Sequence, residues 1–304
     1  MSAEHAAAST SEPWTVRRVL SWMTQHFTER GCDTPRLDAE VLLAHILRCP
    51  RIQLYVQYER PLTDGERAEL RELVKRRSSY EPVAYLVGHR EFFGLKFRVT
   101  PAVLIPRPDT ETLVLELIDQ LKGISPTETC DFPSAALIEL GIGSGAISVT
   151  AAVQLPGLTV HAVDVSPDAL QVAGENAARH EVSDRVTLYE GDLFTPLPDG
   201  LQVEAIVSNP PYVRQADLER LDADVRDHEP RLALDGGVEG LDVARRIVSE
   251  SSRFLKPGGL ILLELSPDNI RQAEEFLESQ GVYENIRILK DAGGRERVLA
   301  ARKV

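Results

Sequence analysis

The second half of the chain alternates short apolar runs with helical runs, and this alternation limits the possible folds more than any other feature. Strands are predicted at residues 135–140, 160–164, 186–190, 203–208, 260–265, 286–289 and 297–301. Helices are predicted around residues 146–153, 167–179, 241–254 and 268–280. Such alternation is typical of an α/β fold, in which a parallel sheet carries helices on both faces. We therefore expect one α/β domain over residues 111–304.

The residues before this domain have helical periodicity. One helical face is predicted from the spacing of Val16, Val19, Leu20, Met23 and Phe27. A second helix is predicted from Thr34-Pro35, burying Leu37, Val41 and Leu42. A third begins at Thr63, which forms a capping-box pattern with Glu66. We expect a helical docking domain at residues 13–80 after a loose N-terminus at 1–12.

A short connector separates the two regions. Residues 81–110 contain Phe92, Phe97 and two glycines in a pattern typical of a hairpin, and the prolines at 101, 106 and 108 prevent a regular helix there. Arg107 and Asp109 are expected to tie this connector to the α/β domain by salt bridges or to line the cofactor entrance.

Charge divides the chain in the same way. The protein has 304 residues and a net charge of −13. Residues 1–80 contain 12 basic and 11 acidic residues, so the remaining 22 basic and 36 acidic residues give residues 81–304 a net charge of −14. This acidic balance argues against nonspecific binding of nucleic acid, which depends on phosphate neutralisation.

Cysteine content and hydropathy exclude further classes. Cys32, Cys49 and Cys130 are too few and too far apart for a disulfide framework or a paired-cysteine zinc site. No apolar run reaches the roughly 18 residues of a membrane span. We expect a cytoplasmic protein with no metal site and no membrane partner.

A glycine-rich turn follows the first predicted strand. Such a turn bends tightly and lets a ligand approach bare backbone near a helix N-terminus. Gly-x-Gly-x-Gly is a weak signal alone, because a tight packing turn has the same pattern. The candidate cofactor-binding residues here are Gly141, Ile142, Gly143, Ser144 and Gly145.

Acidic residues follow the next two strands. Asp164 ends the second strand, where a carboxylate can accept hydrogen bonds from both hydroxyls of a ribose. Asp192 and Leu193 follow the third strand, where an adenine would lie, although Asp192 could equally be an ordinary loop carboxylate. A dinucleotide or S-adenosylmethionine fits this arrangement. The dinucleotide fingerprint would need its Gly/Ala variant, because its third glycine falls at Ala146.

The tetrapeptide Asn209-Pro210-Pro211-Tyr212 follows the fourth strand, at the edge of the sheet where open α/β folds bind ligands. Its two prolines remove two amide donors, so nearby carbonyls lack local partners. An NH₂ group could donate to the Asn209 side chain and the Pro210 carbonyl, with Tyr212 as a flat wall. The pattern predicts a site for a planar amine or amide. All four residues are candidate catalytic residues, and Asn209 is also a candidate cofactor contact.

These motifs resemble class I S-adenosylmethionine-dependent methyltransferases that act on exocyclic or amide nitrogen. Five segments are similar to the HemK-type peptide chain release factor glutamine methyltransferases: residues 82–111, 166–170, 207–212, 226–240 and 294–298. The resemblance covers roughly residues 14–302. Asn-Pro-Pro-Tyr is shared with adenine methyltransferases, but the Arg-Pro-Asp-Thr-Glu segment together with Glu-Pro-Arg-Leu-Ala-Leu is not.

The resemblance implies a Rossmann-like, mostly parallel seven-stranded sheet and S-adenosylmethionine as cofactor. It also implies methylation of the glutamine amide nitrogen in the Gly-Gly-Gln motif of class 1 release factors, with the helical domain docking the factor. The glycine turn and Asp164 would hold the methionine and ribose, Leu193 beside Asp192 would flank the adenine, and residues 209–212 would clamp the amide. Leu193 departs from relatives that have an aromatic residue there, Glu139 from those that have Asp, and Leu265-Ser266 from an expected glycine.

Three other functions remain open. A ribosomal-protein glutamine methyltransferase would need the same site. An adenine methyltransferase of nucleic acid would need a basic groove. A noncatalytic adenosine-binding module would not need residues 209–212. Residues 228–231 lie in the long segment after Tyr212 and are expected to cover the substrate peptide. Glu175 and Asn176 are expected to be solvated.

Overall fold

The computed structural model describes residues 13–122 and 134–304. The chain forms two compact units, one ending at Val87 and one running from Gly88 to Val304. The predicted loose terminus at residues 1–12 lies outside the described residues. None of the described helices is both long and apolar enough to cross a membrane.

The first unit is helical, as predicted. Its described helices are α1 (Val16–Glu29), α2 (Pro35–Ile46), α3 (Arg51–Val56), α4 (Asp64–Arg77) and α5 (Val83–Val87). The predicted face of α1 is buried throughout. The capping box at Thr63 is also confirmed, since Thr63 and Glu66 exchange hydrogen bonds between side chain and backbone. No helix was predicted at the positions of α3 and α5.

The predicted face of α2 was partly wrong. Leu37 is 41% exposed, whereas Leu42 and Leu43 are fully buried. The burial of two acidic side chains explains this error, because Asp38 and Glu40 occupy positions on α2 that hydrophobic periodicity assigns to solvent. Asp38 accepts a hydrogen bond from the buried Arg77 at 2.7 Å, so its charge is compensated.

The second unit begins with the predicted hairpin, β1 (His89–Phe92) and β2 (Leu95–Arg98). Its seven-stranded sheet comprises β3 (Ala135–Leu140), β4 (Leu158–Asp164), β5 (Val186–Glu190), β6 (Val203–Ser208), β7 (Leu255–Glu264), β8 (Tyr283–Lys290) and β9 (Glu296–Lys303). The strand order is β5-β4-β3-β6-β7-β9-β8. The described strands β3 to β7 pair in parallel, and β9 runs antiparallel to both of its neighbours, β7 and β8, so the predicted mostly parallel sheet is confirmed.

Helices cover both faces of this sheet. The described helices are α6 (Glu111–Lys122), α7 (Ala146–Gln154), α8 (Pro167–Arg179), α9 (Ala223–His228), α10 (Asp242–Ser251) and α11 (Ile270–Ser279). The first three share one buried apolar cluster with the hairpin, and α10 and α11 share a second with the opposite face. Because β3, β4, β5, β6 and β7 are parallel, their carboxyl ends meet at one edge.

Candidate functional site

A cavity of about 320 Å³ lies at this carboxyl edge. Its size falls in the range of small-molecule sites, about 300–1,000 Å³. Most of the predicted site residues line it: Gly141, Ile142, Gly143, Ser144, Asp164, Asp192, Leu193, Asn209, Pro210 and Pro211. Gly145 and Tyr212 are not part of its lining. The structure therefore brings four separate sequence segments to one site.

The glycine turn is held by the backbone of the neighbouring strand. The amides of Gly141 and Ile142 both donate to the carbonyl of Val163, at 2.8 and 3.1 Å. Gly141 and Gly143 have φ of +73° and +53°, a region that favours glycine. A Cβ built at either position would meet no atom within 4 Å, so both leave open space beside the backbone.

Asn176 supports this turn from α8. It is fully buried, so the prediction that it is solvated was wrong. Its Nδ2 donates to the carbonyl of Ser144 at 2.8 Å, and its amide also exchanges hydrogen bonds with the backbone of Arg98 in β2. The side chain is buried because distant backbone groups satisfy its hydrogen-bonding capacity. Glu175, beside it, forms an ion pair with Arg98.

Asp164 lies half-buried at the end of β4. Its Oδ2 accepts a hydrogen bond from the Gly143 amide at 2.9 Å, and its Oδ1 accepts one from the Ser166 amide at 3.0 Å. Burial raises the pKa of Asp164, while these backbone donors lower it. A carboxylate has about four acceptor sites, so two amide donors leave capacity for the hydroxyls of a ligand.

A second acid, Glu139, was noted in the sequence only as a departure from relatives. It is 1% exposed, lines the cavity, and accepts a hydrogen bond from the Ser148 amide through Oε2 at 2.9 Å. Burial raises the pKa of Glu139 to about 8, against the opposing effect of Ser148. The sequence did indicate a special role for Glu139, because an acid within an otherwise apolar strand must find a partner or a ligand.

Asp192 and Leu193 form another wall of the cavity. Asp192 makes a salt bridge of 2.6 Å with Arg246 of α10, and both side chains are about half exposed. Leu193 is half-buried with a φ of +48°. The pair places an apolar side chain next to a charged rim, which suits a flat heterocycle with polar edges.

Residues 209–212 are held in place by distant parts of the chain. Asn209 donates from Nδ2 to Glu264 Oε1 at 3.0 Å. The carbonyl of Tyr212 accepts a hydrogen bond from Asn269 Nδ2 at 3.1 Å. A Cβ on Gly236 would lie 2.7 Å from the carbonyl oxygen of Pro211, so this close approach requires glycine. The predicted wall role of Tyr212 stays a prediction.

The segment after Tyr212 reaches back to the cavity. Pro230, Leu232 and Ala233 line it. The buried Glu229 accepts hydrogen bonds from Arg107 Nη2 at 2.5 Å and from the Ile105 amide at 3.4 Å. Burial raises the pKa of Glu229, and the charge of Arg107 opposes that rise.

Asp109 completes the connector's attachment to the α/β domain through ion pairs with Arg295 and Arg297. The predicted salt bridges of the connector are thus confirmed.

This donor set fits S-adenosylmethionine. The open space beside Gly141 and Gly143 admits an extended ligand, and Asp164 has acceptor capacity for ribose hydroxyls. Leu193 lines the same cavity and offers an apolar surface to a heterocycle. The described residues contain no group of three or more His, Cys, Asp or Glu side chains that could hold a metal ion.

Comparison with known proteins agrees with this site. Residues 18–88 match the family described as PrmC N-terminal domain, and residues 125–225 match the Methyltransferase small domain. A release factor glutamine methyltransferase of Rhodopirellula baltica is 43% identical over 98% of this chain and 99% of its own length. One from Geobacter sulfurreducens is 44% identical over 96% of this chain and 98% of its own length.

Solved structures are similar at the level of the fold. The hMettl16 catalytic domain, crystallised with the MAT2A 3'UTR hairpin 6, has a TM-score of 0.53 and 18% identity, covering 79% of this chain and 82% of its own. A methyltransferase from Pyrococcus furiosus has a TM-score of 0.50 and 18% identity, covering 79% of this chain and 99% of its own. Both carry the fold of class I Rossmann-like methyltransferases.

Proposed function

Because this chain belongs to the release factor glutamine methyltransferase family, we propose that it methylates the side-chain amide nitrogen of the glutamine in the Gly-Gly-Gln motif of a class 1 peptide chain release factor. The methyl donor is S-adenosylmethionine. The observation that carries the proposal is the orientation of Asn209. Its NH₂ group is bonded to Glu264, which leaves its carbonyl oxygen for an NH₂ donor in the cavity.

In this proposal the cofactor occupies the part of the cavity next to β3, β4 and β5. The turn at residues 141–145 borders the methionine part, and Asp164 accepts hydrogen bonds from the ribose hydroxyls. Leu193 packs against the adenine, with Asp192 and its partner Arg246 at the rim. When bound, S-adenosylmethionine supplies an electrophilic methyl group. Glu139 lines the cavity within hydrogen-bonding reach of a ligand, and the Ser148 amide donates to its Oε2.

The substrate amide meets this methyl group at residues 209–212. An amide nitrogen is a poor nucleophile because its lone pair is delocalised, so positioning and exclusion of water matter more than a strong base. Asn209 Oδ1 and the Pro210 carbonyl accept the two N–H bonds and hold the nitrogen in line with the methyl group. Correct placement at about 3–3.5 Å contributes several kcal/mol to lowering the barrier. The nitrogen loses its proton after methylation has made that proton acidic.

The net charge of the α/β domain and the exposed apolar side chains of α3 favour a protein substrate. The net charge of −14 over residues 81–304 disfavours the phosphate backbone of a nucleic acid, so we propose no nucleic-acid substrate. We propose that the helical unit docks the release factor, since α3 exposes Ile52 and Val56 to 70% and 81%. A cytoplasmic location, expected from the cysteine content, belongs to the same proposal.

The test is methyl transfer to competing substrates. Labelled S-adenosylmethionine is incubated with the enzyme and a class 1 release factor, a ribosomal protein or DNA. We expect label in the release factor, and no label when the glutamine of its Gly-Gly-Gln motif is replaced by alanine. Label only in the ribosomal protein or only in DNA would contradict the proposal.

A further inference from the structure

A buried carboxyl group lies directly behind the proposed catalytic asparagine. Glu264 is the last residue of β7, which pairs in parallel with β6 so that Ser208 lies opposite Leu263. Asn209 follows the end of β6 and Glu264 follows Leu263 in β7, so the sheet register places these two side chains together. Glu264 is 1% exposed and does not line the cavity. It can therefore act on the substrate only through another residue.

The contact between the two side chains selects one orientation of the asparagine amide. Asn209 Nδ2 donates to Glu264 Oε1 at 3.0 Å, and the side chain of Thr110 also interacts with this carboxylate. An ionised carboxylate offers acceptors only, so it satisfies the NH₂ end of the amide. Reversing the Asn209 amide would place two acceptors against each other and would turn an NH₂ group toward the substrate.

We propose that Glu264 is a positioning residue for methyl transfer, whose carboxylate orients the Asn209 amide so that its Oδ1 meets the substrate NH₂ group. The inference rests on the proposed function, which supplies that NH₂ group. The same contact strengthens Oδ1 as an acceptor, because hydrogen bonds in a chain polarise one another in a low-dielectric interior. The proline pair that follows Asn209 restricts the backbone, and Glu264 restricts the side chain.

The surroundings of Glu264 bring its ionisation into an accessible pH range. Burial raises the pKa of Glu264 to about 7, and Asp109 adds to that rise, whereas Thr110, Arg297 and Asn209 oppose it. Tyr212 also faces this group. Burial and then the charge of Glu264 raise the pKa of Tyr212 to about 12, so the phenol stays neutral.

Protonated Glu264 has an O–H donor and can satisfy the reversed amide. The kcat/KM for the release factor should therefore rise as the pH increases through about 7.

Two substitutions distinguish the role of the Glu264 charge from that of its hydrogen bond to Asn209. In Glu264→Gln the new side chain offers both a donor and an acceptor, so both orientations of Asn209 are satisfied. In Glu264→Leu neither is satisfied. By analogy with the loss of groups that orient metal ligands, we expect kcat to fall about 10-fold in the first and about 100-fold in the second. The affinity for S-adenosylmethionine should change by less than about 2-fold, because Glu264 does not line the cavity.

Glu204→Gln is the matched control. Glu204 lies in β6 away from the cavity, where it accepts a hydrogen bond from the Ala136 amide and pairs with Lys256. We expect this variant to keep the kcat and the pH dependence of the wild type. Glu264→Gln should instead lose the rise of kcat/KM near pH 7.

The orientation of Asn209 can also be followed by NMR in the absence of substrate. In a proton–nitrogen NMR spectrum, the side-chain amide signal of Asn209 is assigned by its absence in Asn209→Ser. We expect this signal to shift with pH around a midpoint of about 7 in the wild type and to stay fixed in Glu264→Gln. This measurement needs neither cofactor nor substrate.

The outcomes distinguish the inference from the proposed function. Wild-type kcat in both Glu264 variants, or an Asn209 signal that titrates identically in wild type and Glu264→Gln, would overturn the inference. In an Asn209→Ala background, Glu264→Gln should add less than about 2-fold to the loss, since nothing is left to orient. If Glu264→Gln lowered kcat as much in the Asn209→Ala background as it does in the wild type, the inference would be overturned. If the wild type methylates no release factor while the Asn209 signal titrates as expected, the proposed function fails and the orienting contact stands.

Discussion

The two halves of the cavity are supported over different distances along the chain. In the proposed cofactor half, defined here as residues 141–145 with Asp164, the turn is hydrogen-bonded to Val163 of the adjacent strand and Asp164 is hydrogen-bonded to Ser166. In the proposed substrate half, defined as residues 209–212, the supports are Glu264 and Asn269. Most of the hydrogen bonds that hold the first half thus come from one strand–turn–helix segment and the strand beside it.

The difference shows what a short motif can carry by itself. A glycine turn between a strand and a helix forms most of its site from its own backbone. The substrate half also depends on its own motif, but Asn209 and Tyr212 are held by Glu264 and Asn269, which follow them by more than 50 positions. Variants in the two halves should therefore fail in different ways.

The largest expected effect is loss of turnover in Asn209→Ala. The substitution removes the acceptor that aims the amide nitrogen, so kcat should fall about 100- to 1,000-fold. Cofactor binding should persist, because the glycine turn and Asp164 are unchanged. Single-turnover transfer of labelled methyl groups gives the rate, and calorimetric titration gives the affinity for S-adenosylmethionine. Equal losses in both measurements would remove the distinction between the halves.

The converse variant is Asp164→Ala. It removes the proposed ribose contact and leaves the Gly143 and Ser166 amides without their acceptor. Losing hydrogen bonds to a charged group should weaken S-adenosylmethionine binding about 10- to 100-fold. At saturating cofactor, kcat should fall less than it does in Asn209→Ala. Asp199→Ala, at an exposed position, is the control in the same titration, and an unchanged affinity in Asp164→Ala would refute the ribose assignment.

A smaller effect is expected at Gly240, which lies against the backbone of the substrate half, with Gly258 as its control. Gly240 and Gly258 have nearly equal φ values of +74° and +75°. The positive φ alone should cost an alanine at either position about 1–2 kcal/mol of stability, because L residues avoid this region, and the contact of the Cβ adds to this cost at Gly240. Only at Gly240 would the new Cβ meet the Tyr212 backbone, whereas at Gly258 it meets nothing within 4 Å.

Gly240→Ala should therefore also lower kcat about 10-fold, in keeping with the sensitivity of rates to small displacements of reacting groups. Gly258→Ala should retain wild-type kcat. Thermal unfolding and initial rates measured on both variants check this pair. Similar kcat values in the two variants would show that the Tyr212 backbone does not depend on Gly240.

The smallest effect concerns the Arg107–Glu229 pair and appears as a change with pH. Burial raises the pKa of Glu229 and Arg107 opposes this, so Arg107→Gln should raise that pKa further. A carboxyl with a higher pKa in the folded state destabilises the fold as the pH rises. The variant's free energy of unfolding should fall below that of the wild type by about 1 kcal/mol more at about pH 8 than at about pH 5. This difference is smaller than for a fully buried pair, because the Arg107 side chain is one-third exposed. Denaturant unfolding at both pH values measures this, and an equal loss would contradict it.

Sequence patterns predicted the sheet better than its buried polar contacts. The strands Ala135–Leu140, Val186–Glu190 and Val203–Ser208 begin and end at the predicted residues, because apolar runs between turn residues define buried strands. Asn176 was predicted to be solvated, because its partners in β2 and in the glycine turn are 78 and 32 residues away. Glu264 was missed for the same reason. A polar residue is buried where tertiary contacts satisfy it, and local periodicity contains no information on those contacts.

The central claim is that the two halves bring a glutamine amide nitrogen to the methyl group of S-adenosylmethionine. The most direct test uses a release factor labelled with a nitrogen isotope in its glutamine side chains and a cofactor with an isotope-labelled methyl carbon. After reaction with the wild-type enzyme, NMR should show a coupling between the labelled methyl carbon and one glutamine amide nitrogen, and no coupling after reaction with Asn209→Ala. A methyl group transferred to the release factor without that coupling would contradict the account.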